Sequence, residues 1–68
     1  MKQKVYNRIK AVLAEKGVTN KHLAESLPVN INTVSKWCTN KMQPSVEMLF
    51  TIAKELNVDV RELLVSSK

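Results

Sequence analysis

Hydrophobic residues recur at intervals of three or four along most of this chain, the spacing of one face of an α-helix. The pattern predicts a first helix over residues 4–16, closed by Gly17 in a left-handed conformation, with an apolar face of Val5, Ile9, Val12 and Leu13. A second helix is predicted from Asn20 to Ser26, because Thr19 is a favourable N-cap and Leu23, Ala24 and Leu27 form a stripe.

The third helix, predicted over Ile31–Thr39 with Asn30 as its N-cap, follows a short break. Pro28 disfavours the α conformation of the preceding residue, so Leu27 is expected to leave the α region and the second helix to stop there. Asn40 tolerates the left-handed conformation and is predicted to end the third helix. Two short capped helices so connected are typical of helix-turn-helix proteins, although other helical bundles have similar connections.

Two further helices are predicted in the C-terminal part of the chain. Ser45 caps the fourth, Asn57 ends it, and its apolar face consists of Leu49, Phe50, Ile52, Ala53 and Leu56. Asp59 caps a short fifth helix that carries Val60, Leu63 and Leu64. We therefore expect one all-α domain over residues 1–68, a compact five-helix bundle with its core in 5–64 and a frayed tail at 66–68.

Composition and charge limit the possible functions. A domain of 68 residues has little room for a large buried active site. One cysteine cannot form an intrachain disulfide, and no leader or long apolar run is evident, so we expect a cytoplasmic protein with no membrane partner. Residues 1–45 contain eight Lys or Arg and two Glu. Residues 46–68 contain three Lys or Arg and four Asp or Glu. This asymmetry indicates a polyanionic partner, although lysines also simply solubilise small helical proteins.

Six short motifs have an order and spacing that resemble the Cro/CI-type (XRE) helix-turn-helix family, over Asn7 to Leu64. They are NRIK at 7–10, EKGVT at 15–19, LAESL at 23–27, TVSKW at 33–37, NKMQPS at 40–45 and IAKELNVDVRELL at 52–64. The resemblance implies a lambda-repressor-like five-helix bundle whose second and third helices form the helix-turn-helix. It also implies regulation of transcription by binding operator DNA.

Four positions depart from the family pattern. Asn20 replaces the usual Gln, so its shorter amide is expected to reach a phosphate only through water. Pro28 replaces a Gly that can adopt positive φ, which implies a different turn and a tilted third helix. Cys38 and Asn40 stand where Glu and Gly are common. We expect Cys38 to pack as a small apolar group rather than react, and Asn40 to be an acceptable substitute.

The start of the third helix carries the residues predicted to read DNA bases. Ile31 suits a thymine methyl, Asn32 pairs with adenine, Thr33 bonds either way, and Lys36 reaches a guanine edge or phosphate. By resemblance, these family positions contact bases, with Ser35 a further participant. The alternatives are core packing against the second helix for Ile31 and plain solvation for Asn32 and Thr33.

Residues on either side of this helix are predicted to contact DNA phosphates. At the start of the second helix they are Thr19, Asn20 and Lys21, where unpaired backbone N–H groups favour an anion. After the third helix they are Asn40, Lys41 and Gln43, in a loop that the family lays along the DNA backbone. General attraction or simple solvation is expected for Lys2, Lys4, Arg8 and Lys10.

These observations predict a sequence-specific regulator, most simply a repressor, that binds a palindromic site as a homodimer. The predicted dimer surface consists of Leu56, Asn57, Val58, Val60, Leu64 and Val65. We expect no cofactor and no small-molecule ligand. His22 and Cys38 offer two soft ligands where structural zinc needs four. The main alternative is a protein-interaction module, such as an antitoxin or adaptor subunit, and an enzyme is the weakest option because no nucleophile and base pair is evident.

Overall fold

The computed structural model describes residues 4–67; Lys2 and the last residue of the predicted tail at 66–68 lie outside them. Within this range the helices are α1 Ile9–Lys16, α2 Asn20–Ser26, α3 Ile31–Cys38 and α4 Val46–Leu56, followed by a 3₁₀ helix at Val60–Leu63. The predicted all-α class is confirmed. The predicted bundle of five α-helices is wrong, because residues 60–63 form only this 3₁₀ turn and Leu64 is extended beyond it.

The first helix begins at Ile9 and not at residue 4. The segment before it pairs with the C-terminal part of the chain: Asn7 forms an antiparallel bridge with Leu64, and the Val65 N–H donates to the Tyr6 carbonyl over 3.1 Å. Val5 is therefore outside the helix and 54% exposed, so its predicted place on the apolar face is wrong. The predicted end is confirmed, since Gly17 has a φ of 67°.

α2 has its predicted bounds, but it ends for a reason other than the one predicted. Leu27 stays in the α region, with φ −69° and ψ −33°, so the expectation that Pro28 would exclude this conformation is wrong. Pro28 has no N–H to donate to the Ala24 carbonyl, one turn earlier. The Val29 N–H bonds that carbonyl instead, over 2.8 Å, and the chain leaves the helix without any residue of positive φ in the turn.

Both ends of α4 and the end of α3 follow the predicted capping. α3 ends at Cys38, one position before the predicted Thr39, and Asn40 has a φ of 59°. The Ser45 side chain accepts the Met48 N–H over 3.0 Å at the start of α4, and Asn57, with a φ of 57°, ends it. Among the described residues, Asn40 and Asn57 are the two non-glycine positions with positive φ.

A single hydrophobic cluster fills the space between the helices; its members are Ile9, Val12, Leu13, Leu23, Ala24, Val34, Trp37, Leu49, Ile52, Ala53, Leu56 and Leu63. Phe50, predicted on the apolar face of the fourth helix, is 59% exposed, and that prediction is wrong. Successive residues turn about 100° around a helix, which carries position 50 away from the buried stripe through Ile52 and Leu56. None of the helices within residues 4–67 has the length and apolar character needed to span a bilayer.

Candidate nucleic-acid interface

Side-chain caps fix the starts of α2 and α3. The Thr19 hydroxyl accepts the His22 backbone N–H over 3.0 Å, and Asn30 Oδ1 accepts the Asn32 N–H over 2.7 Å. Such caps satisfy donors that the first turn of a helix leaves unpaired. Together with the turn at residues 27–30, they define a helix-turn-helix unit.

α3 has one side in the core and the other in solvent. Val34 is completely buried and Trp37 is 4% exposed, so these two side chains anchor the helix. Ile31 is 46% exposed and does not belong to the core, which removes the packing alternative for this residue. The remaining residues predicted to contact bases are Asn32, Ser35 and Lys36, which are exposed, and Thr33, which is half-buried. α3 thus presents short polar groups, one cation and one aliphatic side chain to solvent.

The start of α2 lies against the end of α3. Cys38 Sγ, near the end of α3, donates to Asn20 Oδ1 over 3.5 Å. Burial raises the pKa of the Cys38 thiol, an effect that the nearby charge of Lys10 partly opposes, so the thiol stays protonated and able to donate near neutral pH. Asn20 is half-buried at this contact, whereas Thr19 and Lys21 are exposed.

The loop after α3 folds back on the end of that helix. The backbone N–H groups of Lys41 and Met42 both donate to the Lys36 carbonyl, over 2.9 and 3.3 Å. The Lys41 side chain is exposed. A cation therefore stands directly beyond the C-terminal end of α3, at a defined position relative to it.

Three amide side chains meet beside this loop, those of Asn7, Asn40 and Gln43, and we call them the amide cluster. Asn7 is 3% exposed, and its Nδ2 donates to Gln43 Oε1 over 2.8 Å and to the Trp37 carbonyl over 3.0 Å. Gln43 Nε2 donates to Asn40 Oδ1 over 3.2 Å. Sequence reasoning missed Asn7. A usable signal existed, since asparagine side chains readily accept the backbone N–H two residues on, and Asn7 Oδ1 accepts the N–H of Ile9 at the start of α1.

Most of the other basic residues predicted to attract DNA weakly are exposed. Arg8 is held by the protein itself: its Nη2 lies 3.5 Å from a Glu15 carboxylate oxygen, and its Nη1 donates to the Glu62 carbonyl over 2.9 Å. Lys4 and Lys10 are exposed. Within residues 4–67, no group of three or more His, Cys, Asp or Glu side chains is placed to hold a metal ion.

The residues predicted to form a dimer surface differ in accessibility. Leu56 is only 5% exposed and belongs to the core, and Val58 and Val60 are half-buried against it. The accessible members are Asn57, Leu64 and Val65. Val65 adjoins Tyr6, which is 51% exposed, so the paired N- and C-terminal segments carry an apolar surface.

Comparison with known proteins places this geometry in a family. A helix-turn-helix family model matches residues 9–63, from the start of α1 to the end of the 3₁₀ helix. The chain is 56% identical to a protein from Bacteroides fragilis that is named as a candidate DNA-binding protein. That crystal structure superimposes with a TM-score of 0.86, and the match covers 87% of this chain and 95% of that one.

A transcriptional regulator from Listeria innocua shares the fold, with a TM-score of 0.76 and 22% identity; the match covers 96% of this chain and 64% of that one. No curated protein sequence matches the chain. The chain belongs to the Cro/CI-type (XRE) helix-turn-helix family, as its motifs indicated. Its fold is that of a lambda-repressor-like domain with four α-helices.

Proposed function

We propose that this chain is a sequence-specific transcriptional regulator, a repressor that binds double-stranded DNA by placing α3 in the major groove. The orientation of α3 carries the proposal, because Val34 and Trp37 bury its inner side while Ile31 and Asn32 are free on its outer side. Membership of the helix-turn-helix family supports it, as does the name of the similar protein from Bacteroides fragilis.

Each exposed residue of α3 has a chemistry that suits a base edge. Asn32 carries the donor and acceptor pair that matches adenine, and Ile31 provides an apolar contact for a thymine methyl. Lys36, one turn further along the exposed side, is suited to guanine or to a phosphate. The hydroxyls of Thr33 and Ser35 complete the proposed set, since a hydroxyl can donate to or accept from a base.

Phosphates are proposed to bind on either side of α3. Lys21 at the start of α2 and Lys41 after α3 supply exposed positive charge, and Thr19 and Asn20 supply polar groups beside Lys21. Asn40 and Gln43 can also donate to DNA. Each side-chain amide has two N–H groups, and the hydrogen bonds among the described residues use one of them. Charge around the base-reading helix positions the protein, while the helix itself selects the sequence.

A homodimer on a palindromic operator is the most economical arrangement. A single module of this size buries limited DNA surface, whereas two modules reading half-sites about 34 Å apart combine their binding energies. We propose that Asn57, Leu64 and Val65 form the accessible part of the dimer surface, with Leu56, Val58 and Val60 supporting it from the core side. Such a regulator acts in the cytoplasm, with the nucleoid DNA.

The salt dependence of duplex binding tests the proposal. Each neutralised phosphate contributes about 0.9 log unit of affinity per log unit of salt on a DNA duplex. We therefore expect the logarithm of the duplex affinity of the purified chain to fall steeply with the logarithm of salt concentration. Lys41→Ala should reduce the magnitude of that slope by about 1, as expected for one lost phosphate contact. Lys54→Ala removes the same charge from an exposed position at the end of α4 and is the matched control.

A chain that binds no duplex at modest ionic strength contradicts the proposal. A salt-insensitive interaction with another protein would favour the protein-interaction module instead. One observation favours that alternative: two apolar side chains one turn apart on α4, Val46 and Phe50, are 70% and 59% exposed and could contact another protein. An apolar contact on that side would show only a shallow dependence on salt, so the same titration separates the two functions.

A further inference from the structure

Asn40 makes more hydrogen bonds than a helix terminus requires. To end α3 it needs only its positive φ of 59°, a conformation that glycine adopts at less cost. Yet its Oδ1 accepts the backbone N–H groups of Tyr6 and Asn7, over 2.9 and 3.1 Å, as well as the Gln43 amide. Its Nδ2 donates to the Asn7 carbonyl over 3.3 Å. The Asn40 side chain therefore bonds the backbone of residues 6 and 7 in the way that a neighbouring strand would.

Asn7 completes the connection from the opposite side. Its Nδ2 donates to the Trp37 carbonyl in the last turn of α3 and to Gln43 Oε1 in the loop, while its Oδ1 accepts the Ile9 N–H at the start of α1. Asn7 is buried, so its paired amide favours this one arrangement, because another arrangement would leave its polar atoms without partners away from water. The end of α3, its following loop and the start of α1 are thus fixed relative to one another.

The segment fixed in this way contains a residue proposed to contact DNA. Lys41 lies between Asn40 and Gln43, and its own N–H donates to the Lys36 carbonyl over 2.9 Å. The backbone on either side of Lys41 is consequently held by the amide cluster. A cation on a loop with a defined path loses less conformational freedom when it binds a phosphate than one on a loose loop.

We infer that Asn7 and Asn40 are positioning residues for DNA binding, which hold the loop after α3 so that Lys41 meets a phosphate. This inference rests on the function proposed above. Neither residue needs to touch DNA for the effect. An asparagine at position 40 therefore does more than substitute for the glycine common in the family.

Double-mutant cycles on duplex affinity test the inference. Asn40→Gly keeps the backbone conformation and removes the amide, and Asn7→Asp keeps the acceptor for Ile9 but replaces the donor to Trp37 and Gln43. Each variant is measured alone and combined with Lys41→Ala, at a temperature where circular dichroism shows a folded chain. For each double variant, we expect the loss of affinity to be smaller than the product of the two single losses by a factor of at least about 2, the lower limit for coupled neighbours. When Lys54→Ala replaces Lys41→Ala in the cycle, the loss of affinity in each double variant should equal the product of the two single losses.

Hydrogen exchange of the free protein provides an independent measurement. We expect Asn40→Gly to speed exchange of the Lys41 and Met42 amides, because the loop then opens without the rest of the domain. Asn57→Gly makes the same replacement at the other left-handed asparagine and should leave those two amides unchanged.

The outcomes separate this inference from the proposed function. The positioning role is overturned if Lys41→Ala weakens duplex binding but each double variant loses the full product of the two single losses. DNA binding itself would then still stand. Unchanged loop exchange in Asn40→Gly overturns it as well. If Asn7→Asp does not fold, the Asn40→Gly cycle decides alone, since glycine favours the conformation at that position. A wild-type chain that binds no duplex contradicts the proposed function itself, and this inference with it.

Discussion

The side chain of Asn40 pairs with the backbone of Asn7 in both directions: the Asn7 N–H donates to Asn40 Oδ1 over 3.1 Å, and Asn40 Nδ2 donates to the Asn7 carbonyl over 3.3 Å. The two residues are 33 positions apart in the sequence. Their pairing joins the segment before α1 to the end of the helix proposed to read DNA. The orientation of α3 therefore depends on contacts outside the helix-turn-helix unit.

Replacement of Asn32 by alanine should alter sequence preference. If Asn32 reads an adenine, Asn32→Ala costs about 1–3 kcal/mol on the best site and relaxes selectivity at one base pair. Lys41→Ala should weaken all duplexes by similar factors, because a phosphate carries no sequence information. Competition binding with single-base variants of the site measures both effects. Equal losses on every duplex from Asn32→Ala would refute its base-reading role.

Trp37→Ala should destabilise the domain strongly. Trp37 is 4% exposed in the core, and loss of so large a buried side chain costs about 3–5 kcal/mol in the free energy of unfolding. Phe50→Ala is the matched aromatic control, because its 59% exposed side chain lies outside the core and a surface change costs about 0.5 kcal/mol or less. Thermal and urea unfolding provide the comparison; similar stabilities for the two variants would contradict the assigned core.

The N-cap of α4 makes a separate contribution to stability. Ser45→Ala removes the hydroxyl that accepts the Met48 N–H, and loss of such a cap costs about 1 kcal/mol. Ser26→Ala, at the exposed end of α2, removes a hydroxyl where no N-cap is required and should change stability by about 0.5 kcal/mol or less. Urea unfolding measures both variants. No difference between them would mean that the cap is not formed in solution.

Asp59 should make stability depend on acid pH. Hydrogen bonds from the Arg61 side chain, and from its backbone N–H, hold the pKa of Asp59 below its ordinary value. Because the native pKa is lower than the unfolded one, this carboxylate stabilises the fold above about pH 4 and stops doing so as pH falls through its native pKa.

Asp59→Asn isolates this charge, since asparagine can still cap the 3₁₀ helix. Its deficit in stability relative to the wild type should shrink as pH falls, by a small amount because the carboxylate is exposed. Urea unfolding at a series of acid pH values measures the difference. A deficit that does not change with pH would contradict the link between Asp59 and Arg61.

Local signals were sufficient to predict α2, α3 and α4. Each has a short-chain polar residue before its first turn, and α3 and α4 are followed by an asparagine able to adopt positive φ. The start of α1 was mispredicted because Val5 continues the apolar spacing of the helix, whereas that segment lies outside the helix and pairs with residue 65, far away in the sequence. Phe50 was mispredicted because hydrophobicity alone does not distinguish the buried stripe of α4 from its flank.

The exposed side of α3 was also predictable, since the spacing of Val34 and Trp37 determines which side is buried. The amide cluster was not, because no local pattern links an asparagine before α1 to the loop after α3. Its hydrogen bonds exist only once the tertiary fold brings those segments together. Asn40 and Gln43 were assigned to phosphates because they lie in a loop that the family lays along the DNA backbone, and their bonds to Asn7 add a role that this position did not suggest.

Selection of binding sites from a random duplex pool tests the central proposal most directly. If α3 reads DNA as a homodimer, wild-type protein should enrich a palindrome with half-sites about one helical turn apart, 10–10.5 base pairs between centres. Asn32→Ala should lose preference at one symmetric pair of positions within it. Failure of the wild type to enrich any sequence, or enrichment that Asn32→Ala leaves unchanged, would contradict recognition through α3.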